Sequence, residues 1–127
     1  MGRRILIVED ETDICEILKE VLVEGGYDVD VVHSGEEGLE YLTNVPYDAL
    51  IVDVRLSGST SGIDIIKTYR AVQNRPKIIV MSATAKRFLG PTLEDHAVSD
   101  LVDKVLEKPG DLNPERFVNE INIVLGR

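Results

Sequence analysis

The chain has 127 residues, 43% of them hydrophobic and 29% charged, and its 23 acids against 14 bases give a net charge of −9 at pH 7. That is enough chain for one buried core and too little for two, so residues 1–127 are expected to form a single domain. An acidic surface repels phosphate backbones, and no apolar stretch nears the roughly 20 residues needed to cross a bilayer, so direct nucleic-acid binding and membrane insertion are not expected.

The opening MGRRILIVEDE reaches its acids too soon for a signal peptide, and Gly2 lacks the downstream Ser or Thr of a myristoylation site. Cys15 is the only cysteine, which rules out an internal disulfide and fits a reducing, cytoplasmic location. It reads as a small helix residue rather than a reactive thiol.

Taken in chain order, strand and helix patterns alternate. Ile5–Val8 is a continuous apolar run, as expected of a strand buried on both faces. Ile14, Ile17, Leu18, Val21 and Leu22 then fall at helical spacing, and Gly25-Gly26 supplies the stop. Residues 27–32 alternate apolar and acidic side chains, which suits a strand at a sheet edge. Ser34 followed by Glu37 is a capping-box signature for a short helix to about Leu42. Ala49–Val52 is the third strand, and the SGSTSG loop leads to a helix carrying Ile65, Ile66, Tyr69 and Val72.

Pro76 precedes a fourth strand, Lys77–Met81. Beyond it Gly90-Pro91 is expected to interrupt the chain, with a helix from about Thr92 and a fifth strand over Val102–Leu106. Asn113 caps a last helix, with Pro114 at its first position and Phe117, Ile121 and Val124 facing inward. Five strands alternating with five helices predict an α/β fold with a parallel sheet covered on both faces. Right-handed crossovers leave few topologies, of which the doubly wound, flavodoxin-like order 2-1-3-4-5 is the leading one.

In such a sheet every strand ends at the same edge, where ligands bind in open α/β folds. Glu9 and Asp10 follow the first strand, Asp53 the third, Ser82 the fourth, and Lys108-Pro109 the fifth. Two carboxylates about 4 Å apart repel by about 4 kcal/mol at an effective dielectric of about 20, so three of them call for a cation. Oxygen donors of this kind suit Mg²⁺ together with phosphate. With Lys108 and the Ser82 hydroxyl added, the set can stabilise a transferring phosphoryl group, and Asp53 can serve as nucleophile by forming an aspartyl phosphate. His33 and His96 lack ligand-spaced partners for a transition metal, and SGSTSG lacks the pattern of a nucleotide-binding phosphate loop.

The segments ILIVEDE, DALIVDVRLSGSTSGID, IIVMSATAK and VLEKP together resemble the receiver domain of bacterial two-component response regulators, of the single-domain chemotaxis-regulator type. The resemblance covers essentially the whole chain. It implies that Asp53 accepts a phosphoryl group from a histidine kinase or a histidine phosphotransfer protein. Asp10 and Asp53 would ligate Mg²⁺ directly, Glu9 through water, and Arg55 through its backbone carbonyl. Ser82 would move to the phosphoryl oxygen, helped by the Ala83 backbone N–H and by Lys108, and Pro109 matches a residue often held in a cis peptide.

The chain departs from the family pattern at Ser57, where a proline is usual, and at Gly62, which falls one place late. It departs again at Val105, where an aromatic switch residue is usual, and in a longer spacing from Ser82 to Lys108. The Arg55 side chain could bind phosphoryl oxygens or obstruct hydrolytic water, prolonging the phosphorylated state.

The favoured expectation is a signalling switch rather than an enzyme, acting on a protein partner as a monomer or a phosphorylation-dependent dimer. Two alternatives are weighed against it. A receiver-like module that is never phosphorylated would bind its partner through the fold alone. A haloacid-dehalogenase-like phosphatase would use a similar set of side chains, but Arg55 stands where the second acid of its D-x-D motif belongs.

Overall fold

The computed structural model describes residues 3–56, 58–84 and 86–126; Gly2 and Ser57, at the expected departures from known motifs, lie outside them. Five strands, β1 (Arg4–Val8), β2 (Asp28–Val32), β3 (Ala49–Asp53), β4 (Lys77–Ser82) and β5 (Lys104–Glu107), form one sheet in the order β2-β1-β3-β4-β5. Every pairing is parallel, with Val8 beside Val52, Asp53 beside Met81 and Ser82 beside Glu107. The expected architecture is therefore the observed one, including β2 at an edge.

Because strand side chains alternate between faces, the apolar runs feed two cores. Leu6, Val8, Leu50, Val52, Ile78 and Val80 pack on one face, under α2 (Gly35–Asn44), α3 (Gly62–Lys67) and α4 (Lys86–Asp95). Ile5, Ile7, Ala49, Ile51, Ile79 and Met81 pack on the other, against Leu18 and Leu22 of α1 (Thr12–Glu24) and Phe117, Ile121 and Leu125 of α5 (Pro114–Leu125). Caps set the helix starts. Ser34 Oγ accepts from the Glu37 N–H, and Asn113 Oδ1 accepts from the Arg116 N–H, with Pro114 opening α5 as anticipated.

Three expectations fail on the α3-to-β5 side. The helix expected to reach Val72 ends at Lys67. Thr68 Oγ1 donates to the Ile65 carbonyl at 2.6 Å, and the next amides bond three residues back as a tighter turn, which leaves Val72 44% exposed. Pro91 does not interrupt the chain but lies inside α4. Leu89 and Leu93, one turn apart and each 3% exposed, anchor that helix on the core and offset the proline's missing hydrogen bond. Finally β5 starts at Lys104 rather than Val102 because a 3₁₀ turn, Ser99–Leu101, occupies the approach. Asp103 then joins β4 on both sides: its N–H donates to the Ile78 carbonyl at 2.8 Å and its carboxylate accepts from the Ile78 N–H at 2.8 Å.

Candidate functional site

Parallel pairing brings the carboxyl ends of β1, β3, β4 and β5 to one rim, and the residues that follow them line a cavity of about 280 Å³. Asp53 sits at the last position of β3 and Ser82 at the last position of β4, 7% and 5% exposed, while Glu9, just past β1, is wholly buried. One carboxylate oxygen each from Glu9, Asp10 and Asp53 lies within 4.8 Å of the others. Lys108 reaches across from β5: its Nζ donates to both carboxylate oxygens of Glu9 at 2.9 Å and to Asp53 Oδ2. The backbone places the lysine as well, since the Lys108 N–H donates to the Ser82 carbonyl at 2.8 Å. The Lys108-Pro109 peptide is cis.

Among the described residues, three carboxylates meet here, and the Lys108 ammonium bonds two of them, Glu9 and Asp53. Burial, then the neighbouring Asp53, pushes Glu9 up to about 7, and the attraction of Lys108 only partly opposes this. For Lys108, burial would lower the ammonium, but its bonds to Asp53 and Glu9 outweigh that and raise it. Three carboxylate oxygens this close, at the mouth of a cavity, are the hard donor set that fits a small dication such as Mg²⁺. They do not resemble the nitrogen- and sulfur-rich sets that zinc favours.

The remaining expected residues fall on the same rim. Arg55, Ala83 and Thr84 line the cavity with Asp10, Asp53, Ser82 and Lys108. The Arg55 N–H donates to Asp53 Oδ1 at 2.8 Å, which ties the loop after β3 to the carboxylate before it. Ser82 Oγ accepts from the Thr84 N–H at 3.0 Å. All seven residues singled out from the sequence (Glu9, Asp10, Asp53, Arg55, Ser82, Ala83 and Lys108) thus belong to one corner of the molecule.

Sequence reasoning missed two supports of this corner. Cys15, 2% exposed on α1, donates from Sγ to the Glu9 carbonyl at 3.2 Å; burial and then the Glu9 charge push its thiol up to about 12, so it stays a donor. His33 Nδ1 lies 3.1 Å from the same carbonyl, which makes that nitrogen the protonated one. Both hold the turn that aims Glu9 and Asp10. Neither is announced by its neighbours in sequence, because the shared partner is a backbone atom. Val105, the expected departure, is half-buried on β5 beside Leu93 and Val102, away from the acidic rim.

Among known protein families, the response regulator receiver domain matches residues 5–114. The chain is 34% identical over 125 residues to the response regulator ArlR of Staphylococcus aureus, covering 98% of this chain and 53% of that protein. It is 32% identical over 104 residues to the transcriptional regulatory protein DltR of Streptococcus agalactiae, covering 82% of this chain and 46% of that one. The chain therefore spans about half the length of these curated relatives. Among solved structures, a CheY-like receiver domain from Methylobacillus flagellatus matches at 28% identity with a TM-score of 0.76, covering 98% of this chain and 99% of that one. The CheY-like receiver domain from Methanospirillum hungatei shares the fold at a TM-score of 0.84 and 24% identity, covering 99% and 95%.

Proposed function

The chain belongs to the response regulator receiver family, and from that premise we propose that it is a phosphorylation-controlled switch. Asp53 takes a phosphoryl group from a histidine kinase or a histidine phosphotransfer protein in a Mg²⁺-dependent reaction, and the modified chain changes its binding to a protein partner. The observation that carries this reading is the meeting of Glu9, Asp10 and Asp53 within 4.8 Å, with Lys108 bridging Glu9 and Asp53.

An Asp53 carboxylate oxygen attacks phosphorus while the phosphorus–nitrogen bond of the donor breaks, and the imidazole leaves with the electron pair and takes up a proton. Asp10 and Asp53 would hold Mg²⁺ directly, Glu9 through water, and Arg55 through its carbonyl. The bound ion supplies positive charge against the phosphoryl oxygens. Lys108, already on Asp53, follows the new oxygens. Ser82 exchanges its Thr84 contact for one to the phosphoryl group, assisted by the Ala83 N–H. Moving a switch from 1:99 to 99:1 needs about 5.5 kcal/mol of preference for one state, and two charged partners plus a hydroxyl are of that order.

A protein donor also needs a seat near the rim. A cavity of about 200 Å³ beside Lys108, lined by Ile14, Ile17, Leu18, Pro109 and Leu112 and nearly free of polar groups, supports that part of the reading. Ile17 is 52% exposed there. The test is intact-mass analysis after incubation with acetyl phosphate, with and without Mg²⁺. Wild type should gain one phosphoryl group only with the metal, and Asp53→Asn should gain none. An unmodified wild type would favour a receiver-like binding module, and multiple turnover of phosphate esters would favour a phosphatase.

A further inference from the structure

The loop that carries Arg55 away from Asp53 is rich in serine and glycine and lacks the usual proline, so its own sequence offers little to hold it in one conformation. The structure holds it from outside. Glu36, in the first turn of α2, accepts from Ser59 Oγ and from the Thr60 N–H through the same oxygen, each at 2.9 Å. Its neighbour makes room for this: a side chain on Gly35 would put its Cβ 2.2 Å from the Thr60 carbonyl oxygen. Gly58, at φ +95, turns the loop back over the Glu36 carboxylate, where an added Cβ would sit 3.3 Å from the nearer oxygen. The far end is fixed just as closely, since a Cβ on Gly62 would lie 2.1 Å from the Asp53 carbonyl oxygen.

Those contacts make a second tether for a segment whose first tether is the Arg55 N–H on the Asp53 carboxylate. Between the two lies the Arg55 carbonyl, the backbone atom assigned to Mg²⁺ above. We propose that Glu36 is a positioning residue of the phosphoacceptor loop: it clasps Ser59 and Thr60 so that the segment from Asp53 to Arg55 presents its oxygens to the metal without further ordering. This inference rests on the receiver reading. Hydrogen bonds from its own backbone, from Ser59 and from Thr60 hold Glu36 down at about 2, so it is a carboxylate throughout the physiological range. Pre-ordering of this kind lowers the entropy lost on binding, which is how a residue remote from the metal raises affinity for it.

Two readouts on the intact chain test the clasp. Glu36→Ala should speed hydrogen exchange of the Thr60 amide by about tenfold, the loss of one charge-assisted hydrogen bond, and should weaken Mg²⁺ binding several-fold by calorimetry. Glu36→Gln keeps an acceptor oxygen and should recover part of both effects. Gly35→Ala should reproduce the Glu36→Ala changes by pushing the loop away, while Glu40→Ala, exposed one turn further along α2, should change neither. Unchanged exchange at Thr60 in Glu36→Ala would overturn the inference. Faster exchange with wild-type Mg²⁺ affinity would overturn it too, because the contact would then be structural only. A wild type that takes up no Mg²⁺ would instead overturn the receiver reading, and it is the wild-type titration that tells the two failures apart.

Discussion

The acidic rim and the α4–β5 side of the sheet are built on different principles. At the rim, the buried Glu9 and Asp53 both bond Lys108, and the Glu9 carbonyl has both Cys15 and His33 as neighbours. On the α4–β5 side the chain carries a proline inside a helix, a left-handed Ala97 (φ +57) after it and a 3₁₀ turn before the strand. Half-buried Val105 lies there over a shallow cavity of about 330 Å³. Dense polar cross-linking suits a site that must hold charges at fixed separations. The α4–β5 side is held mainly by buried apolar anchors, Leu89, Leu93, Val98 and Leu101, which fix a helix and turn without fixing charges.

The largest way to break that contrast is to remove the bridging lysine. Lys108→Met removes the ammonium that the buried Glu9 and Asp53 share, and urea unfolding should show a loss of about 3 kcal/mol near pH 8. A variant as stable as wild type would mean the rim is not cross-linked as described. Next in size is a pH effect in magnesium-free solution. Because Glu9 is raised from 4.5 to about 7 on folding, the folded state binds the proton more tightly than the unfolded chain. Its contribution favours the fold below about pH 4.5 and is lost as pH rises through 7, a decline of about 1–3 kcal/mol. Glu9→Gln should flatten that slope, and an unchanged slope would assign it to other groups.

On the opposite side, Pro91→Ala restores the helix N–H donor that proline lacks. It should raise stability by about 2 kcal/mol without altering Mg²⁺ affinity. A change in metal binding would show that the two regions are not separable. The smallest effect expected is kinetic: Arg55→Ala should shorten the phosphorylated lifetime a few-fold, followed by the decay of the intact-mass adduct, and an unchanged half-life would remove the guanidinium from the site.

These differences also explain what could be read from the sequence. The site was legible because a parallel sheet sends every strand end to one edge, so apolar runs ending at Glu9, Asp53 and Ser82 place those side chains together without knowledge of their contacts. The end of α3 was not legible, because Tyr69 and Val72 keep helical spacing while the Thr68 hydroxyl captures the Ile65 carbonyl. Pro91 misled for the opposite reason, since the burial of Leu89 and Leu93 outweighs a local signal that normally ends a helix. Glu36 was invisible as a partner of Thr60 because the two meet only once α2 and the β3–α3 loop are folded together.

If positions 9, 10, 53, 82 and 108 surround one divalent ion, a Mg²⁺ titration followed by backbone NMR will show it most directly. Saturable shifts concentrated on those five residues and on Arg55, lost in Asp53→Asn, are the predicted result. Shifts scattered over the acidic surface, or none at millimolar Mg²⁺, would contradict it.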